Sequence, residues 1–438
     1  MDDILIKDAL IVTCDPAHAI IKNGLITVSD GRITALESSD TVSVDSFRAK
    51  KTISANGNIV MPGLINMHCH AADSLFRGLV ENLPLEEWLG RVWIAEKAIL
   101  TPETTYLGSI LGLAENLLSG ATTVMDMFWY PEETASAAKK LGMRISTGGI
   151  FFDLPGIGGR CHEDYISEAH QFSQNHEADE NVIPAILPHG SYTVSPENLT
   201  DAKRIADEYG ILFCTHAAET KAEQNDIKAR YNNSVIRHLN EHKLLGENVV
   251  LAHCVHLDDK EISLLAKSRT NVVLNPMSNL KLGSGIAPVK EMKRAGINLT
   301  IGTDGAISGN DLDMWLAMRL TCGLAKGFNM EADALTAEQV LHMATINGAK
   351  ALGKSESIGS LEIGKCADII MVDVNNSHSI PLFDPITHLV FGAGRSDITD
   401  VFVSGKHIVK NKKITGIDIE KIYDEVRELA PQIKASLE

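Results

Sequence analysis

The sequence has no run of about 18 apolar residues, so no segment is fit to cross a bilayer as a helix. Its start, Met1-Asp2-Asp3-Ile4-Leu5-Ile6-Lys7, is acidic and has no basic stretch leading into an apolar one. No targeting segment or membrane partner is expected, and the expected location is cytoplasmic. Cysteine is sparse: seven residues (14, 69, 161, 214, 254, 322 and 366) with no C-x-x-C pair, an odd number that favours reduced thiols over a disulfide framework or a structural zinc knuckle. Positive charge is in deficit. The 40 Lys and Arg stand against 57 Asp and Glu, a net charge of −17 that argues against a nucleic-acid-binding face. Also absent are G-x-G-x-x-G, H-E-x-x-H and G-x-S-x-G, which removes the usual dinucleotide, zincin and serine-hydrolase readings.

What is present is an ordinary folded composition, 44% hydrophobic and 22% charged, with length enough for a sizeable core. Both ends read as short strands and turns: Ile4 to Thr13, Gly24 to Ser29 and Arg32 to Leu36 early, then Ala367 to Val374, Asp400 to Val403 and Lys406 to Val409 late. They suggest one small discontinuous β-sandwich domain from residues 1–59 and 357–415. The middle carries eight apolar runs that look like buried parallel strands: Ile59–Met67, Thr122–Met127, Arg144–Phe151, Val182–Leu187, Leu212–Thr215, Val249–Ala252, Asn271–Leu274 and Asn298–Ile301. Helix-like stretches such as Pro102 to Ser119 and Pro196 to Glu208 separate them. The expected class is therefore α/β, a (β/α)8 TIM-type barrel over residues 60–356, with a helical tail at 416–438 and a doubly wound sheet as the competing arrangement.

In a barrel, reactive residues sit just past the C-terminal ends of the strands. His68 and His70 follow the first run, His189 the fourth, His216 and Glu219 the fifth, His253 the sixth and Asp304 the eighth. Residues i and i+2 of a strand point to one side, so His68 and His70 could hold one ion while Cys69 faces away. Each has a plainer alternative: H-x-H as a solvated turn, His216 or His253 as a hydrogen-bonded rim residue, Asp304 as a turn aspartate before Gly305, Glu219 as a first-turn glutamate favouring the helix dipole. Their joint placement favours a site. Asp304 is expected across the barrel mouth from His68 and His70.

Met61-Pro62-Gly63-Leu64-Ile65-Asn66-Met67-His68-Cys69-His70, Thr215-His216-Ala217-Ala218-Glu219, Leu251-Ala252-His253-Cys254 and Gly302-Thr303-Asp304-Gly305 together resemble the amidohydrolase superfamily, in its cytosine deaminase-like and triazine-hydrolase-like branch. The resemblance spans nearly the whole chain. It implies one divalent ion on His68, His70, His216 and Asp304, zinc first, with iron or manganese as alternatives; three nitrogens and a carboxylate suit such an ion. It further implies Glu219 and Asp304 as proton carriers and His253 as the group that steadies the attacking oxygen. One helical turn after His216 would place Glu219 beside the reacting water.

The stretches 75–89 and 304–314 resemble 5-methylthioadenosine/S-adenosylhomocysteine deaminases. That resemblance implies Trp88 against the base, Glu96 on two ribose hydroxyls, His189 near the ribose, Ser308 on the purine, Glu219 at the reacting ring and Arg160 facing the substrate. Gly148 stands where a second arginine is expected, which favours 5′-modified adenosines smaller than an amino-acid-bearing one. The expected activity is a hydrolytic deamination of a purine-type heterocycle that releases ammonia. The alternatives are an s-triazine hydrolase, a guanine- or pterin-type deaminase and, of another class, a non-catalytic ligand-binding barrel. The expected partners are a small heterocyclic amine and further copies of the chain, as a homodimer or homotetramer.

Overall fold

The computed structural model describes residues 1–153 and 156–438, and its strands form two sheets. The barrel is built on Leu64–His70, Ala121–Asp126, Arg144–Phe151, Val182–Pro188, Leu212–Ala217, Val249–His253, Asn271–Leu274 and Leu299–Ile301, each parallel to the next. Nearly every residue in them is buried, since one face packs into the barrel interior and the other under the helices. Past Ile301 the chain continues into Asp304–Gly305, which pairs with the first strand: Asp304 lies opposite Cys69 and Gly305 opposite His70. The eighth strand thus touches the seventh with its first half and the first with its second, and the cylinder closes. Asp304 consequently stands beside His68 and His70, not across the mouth from them.

Helices return the chain between strands, and their starts follow local chemistry. Thr101 caps Pro102–Leu118 in a reciprocal box with Thr104, and Asp258 caps Asp259–Ser268 with Glu261. All-round burial explains why the strands are legible as apolar runs. The exception is the first run, which the structure cuts in two: Ile59–Pro62 belongs to the other sheet and Leu64–His70 to the barrel. Gly63 makes the cut, because a Cβ there would lie 2.1 Å from Thr122 Oγ1, while its N–H donates to the Asp368 carbonyl at 3.0 Å.

The second sheet takes strands from both ends of the chain. Lys413–Ile414, Lys406–Lys410, Ile398–Val403 and Ile369–Val372 lead to Ile59–Pro62, then Asp2–Val12, Ile20–Ser29 and Arg32–Ser38. Asp2–Val12 bends at a bulge where Asp8 has φ 57°, so its first half pairs with Ala49–Ser54 and its second half with Ile59–Pro62. Buried Arg144, at the foot of the third barrel strand, forms an ion pair with buried Asp368 across the seam between the sheets. The tail is the helix Ile419–Ala435. All seven cysteines are free, and among the described residues no helix is long and apolar enough to cross a membrane.

Candidate active site

Five histidines and two carboxylates meet where the barrel strands end. His68, His216, His253 and Asp304 each bring a donor atom within 4.8 Å of the others. His70 joins through Nε2, 3.0 Å from Asp304 Oδ1, and His68 Nε2 lies 3.4 Å from the same oxygen. His68 and His70 point to one side, as strand alternation requires, and Cys69 faces back toward Asn116. Three of these strand ends turn through left-handed backbone at non-glycine residues: Ala218 (φ 54°), His253 with Cys254 (φ 76° and 47°) and Asp304 (φ 63°). Each such residue costs on the order of 1–3 kcal/mol, and such strain gathers at functional sites.

Hydrogen bonding sets the tautomers. Nδ1 of His70 faces the Met127 carbonyl at 2.5 Å, and Nδ1 of His216 faces the His189 carbonyl. A carbonyl only accepts, so both rings carry a proton on Nδ1 and turn Nε2 toward the cluster. His216 Nε2 and His68 Nε2 are 3.1 Å apart. Facing nitrogens that close, backed by a carboxylate, fit a cation between them, and imidazole with carboxylate is a donor set for zinc-like ions. Burial pushes His68 down to about 4 and His216 well below the usual imidazole range. Burial also opposes a charge on His70, yet the Asp304 carboxylate outweighs it and holds His70 at about 10. Asp304 lies well below the carboxylate range despite burial, because the His68 and His70 rings beside its Oδ1 favour the charged form.

Glu219 is placed by a turn and not by a helix. The strand ends at Ala217, Ala218 reverses the chain, and the helix Lys221–Tyr231 starts only after the Thr220 cap. The first-turn acid of that helix is Glu223, whose carboxylate accepts the Glu219 N–H at 2.7 Å. Ser284 Oγ donates to Glu219 Oε1 at 3.2 Å, and His253 Nε2 is 3.7 Å from Oε2. Burial raises the Glu219 carboxyl above the ordinary range, as suits a group that takes and returns a proton. Behind His253, Nδ1 meets Asn279 Oδ1 at 2.8 Å, which gives a purpose to the segment Asn275-Pro276-Met277-Ser278-Asn279 after the seventh strand.

Above this floor lies an open cleft. Trp88 and Glu96 project into it from one face of the helix Leu85–Ile99, eight residues and so about two turns apart. Trp88 is fixed by its indole N–H on the Val80 carbonyl at 3.2 Å, and Glu96 accepts the Trp129 indole N–H at 3.0 Å. His189 lines the same wall, stacked on Phe152 with ring centroids 4.7 Å apart, and Phe152 stacks in turn on Trp129. Ser308 lines the cleft and donates to Asp304 Oδ2 at 2.9 Å.

Sequence reasoning missed Asp73, Trp93, Trp129, Phe152 and Tyr192, all of which line the cleft. The strand-end rule reaches Trp129 and Phe152, which lie just past the second and third strands. Arg160 is not brought to the cleft. Its guanidinium donates to Glu168 at 2.7 Å and to the Ile157 carbonyl at 2.6 Å, and stacks 4.7 Å from the Tyr130 ring centroid. No side chain fits at Gly148 either, where a Cβ would lie 2.1 Å from the Ala185 carbonyl oxygen. Arg160→Ala is therefore expected to change kcat/KM less than about 3-fold, in line with a surface substitution. A loss above about 30-fold in steady-state assays would return Arg160 to the substrate.

Comparison with known proteins agrees with this geometry. Residues 59–408 match the amidohydrolase family. The chain is 36% identical to a 5-methylthioadenosine/S-adenosylhomocysteine deaminase of Syntrophobacter fumaroxidans, over 99% of this chain and 98% of that one. It is 39% identical to a 5′-deoxyadenosine deaminase of Methanosarcina acetivorans, over 99% of each. A crystal structure of an adenosine deaminase from Xanthomonas campestris with bound zinc superposes with a TM-score of 0.96 at 32% identity, covering 99% of both chains.

Proposed function

The chain belongs to the amidohydrolase family and is a hydrolytic deaminase, and we propose that its substrates are adenosines modified at the 5′ carbon. The observation that carries this reading is the seating of Glu219, His253 and Asp304 on the floor of the same cleft whose wall holds Trp88 and Glu96. The names of the full-length relatives point the same way, as does a cleft that presents no lysine or arginine among the described residues to a charged 5′ substituent.

In this reading His68, His70, His216 and Asp304 hold one divalent ion, zinc in preference to iron or manganese. Such an ion, when bound, supplies the Lewis acid that lets a water molecule lose a proton near neutral pH. Glu219 takes that proton and passes it to the ring nitrogen beside the amine-bearing carbon. His253, 3.7 Å from Glu219, donates from Nε2 to the attacking oxygen while Asn279 holds its other nitrogen. Asp304 collects the second proton and delivers it to the departing ammonia, with Ser308 bonded to its other oxygen. Glu96 takes ribose hydroxyls, and Trp88 and His189 pack against base and sugar. A cytoplasmic homodimer or homotetramer completes the proposal, and the seven free thiols are consistent with a reducing compartment.

The test is an ammonia-release panel of 5′-modified adenosines, guanine-like bases, pterins and aminotriazines, run on the native chain and on Glu96→Ala. The native enzyme is expected to have its highest kcat/KM on the 5′-modified adenosines. Glu96→Ala is expected to lose about 10- to 100-fold on nucleosides, the worth of hydrogen bonds to a charged group, and less than about 3-fold on free bases. A free base or triazine turned over faster than every nucleoside would overturn the reading.

A further inference from the structure

We propose that Asp73 is a specificity-determining residue that works beside Glu96 and takes the 2′-hydroxyl of a ribose, so that the sugar is read by two carboxyl groups. The inference rests on the nucleoside reading above.

Asp73 sits in the 3-10 turn Ala71–Phe76, immediately after the strand that carries His68 and His70. It is 5% exposed, yet it lines the cleft. Its Oδ1 is buried with no hydrogen-bond partner. Its Oδ2 lies 2.9 Å from where a Cβ on Gly305 would stand, so the bare glycine beside Asp304 makes the room it occupies. Glu96 is equally buried and lines the same cleft, so two carboxyl groups face one ligand space. Burial and the neighbouring Glu96 charge push the Asp73 carboxyl well above its ordinary range, which fits that picture.

A second carboxyl in a cleft walled by Trp93, Trp129 and Phe152 is costly unless donors meet it. Among the described residues that line the cleft none is a lysine or arginine, and no side chain donates to Asp73 Oδ1, so a donor for that oxygen must arrive with the ligand. An adenine offers few. Its ring nitrogens accept, and its single amine is committed to the reaction centre. The ribose offers two adjacent hydroxyls, each with one proton to give. Asp73 lies three residues past His70 and against Gly305, on the reaction-centre side of Glu96, and the hydroxyl nearer the base is the 2′.

The experiment measures kcat/KM on a 5′-modified adenosine and its 2′-deoxy, 3′-deoxy and 2-amino analogues, for the native enzyme, D73N and D73L, with metal content and thermal unfolding recorded for each. The native enzyme is expected to prefer the ribonucleoside over its 2′-deoxy analogue by about 10- to 100-fold, and D73L to bring that preference within about 3-fold while keeping the 3′-hydroxyl preference. D73N, of equal size, carries the test if D73L does not fold, and is expected to cut the preference at least about 3-fold. An unchanged 2′-hydroxyl preference in both variants, an equal loss on all analogues with metal retained, or a native preference for the 2-amino analogue that D73L abolishes would each overturn the assignment. Native turnover of bases but of no nucleoside would instead defeat the reading on which it stands.

Discussion

Glu219→Gln is expected to lower kcat by at least about 100-fold, and by as much as about 10,000-fold, while the protein keeps its fold and its metal. The substitution preserves size. Ser284 Oγ can still donate to the side-chain oxygen, and the Glu219 N–H keeps its bond to Glu223, because that contact is made by the backbone. What disappears is the buried carboxylate 3.7 Å from His253 Nε2 that takes the water's proton and returns it. Ammonia release and metal analysis on the same preparation separate this from a damaged centre. Activity within about 10-fold of native, with metal retained, would assign the proton transfer to another group.

Removal of the ion should abolish turnover, by at least about 1,000-fold, and zinc should restore it, since the ion is asked to activate the nucleophile. The cluster itself adds a sharper expectation. Without an ion, Asp304 holds a proton on His70 up to about pH 10, so the metal-free centre near neutral pH contains an imidazolium. A metal must displace that proton, because only neutral imidazole ligates. Binding is therefore expected to release a proton and to weaken as pH falls. Calorimetric titration of chelated protein with zinc, in two buffers of different ionisation heat, reads the release directly. Zinc uptake without proton release would remove His70 from the ligand set.

How much of this was legible follows from where each signal resides. The barrel strands stood out because both faces are buried, so that Val249–His253 reads as an unbroken apolar run with a histidine at its tip. His68, His70, His216 and Asp304 were legible for the same reason, as polar residues stranded at the ends of such runs. The eighth strand's double pairing was not, since closure depends on a partner more than two hundred residues away, and Asp304 was expected on the wrong side of the mouth. Glu219 was found, but through an imagined helical turn; the left-handed residue Ala218 does the positioning. Asn279 behind His253, and Asp73 beside Glu96 in the cleft, bring together separate elements that no local pattern announces. Arg160 shows the converse: its place in the sequence matched, but Glu168, eight residues on, claims its charge.

The seam at Gly63 bears on how the molecule can fail. A single stretch, Ile59 to His70, begins in the sheet built from the chain ends and finishes at the ion-binding cluster, with Arg144 and Asp368 riveting the same boundary. Fraying of the sheet built from the chain ends is then expected to reach the histidines, since Gly63 alone separates Ile59–Pro62 from Leu64–His70. The two sheets should open as one cooperative unit in hydrogen exchange, and a chain trimmed to the barrel alone would lose the anchorage of His68 and His70 before it lost any residue of the cleft.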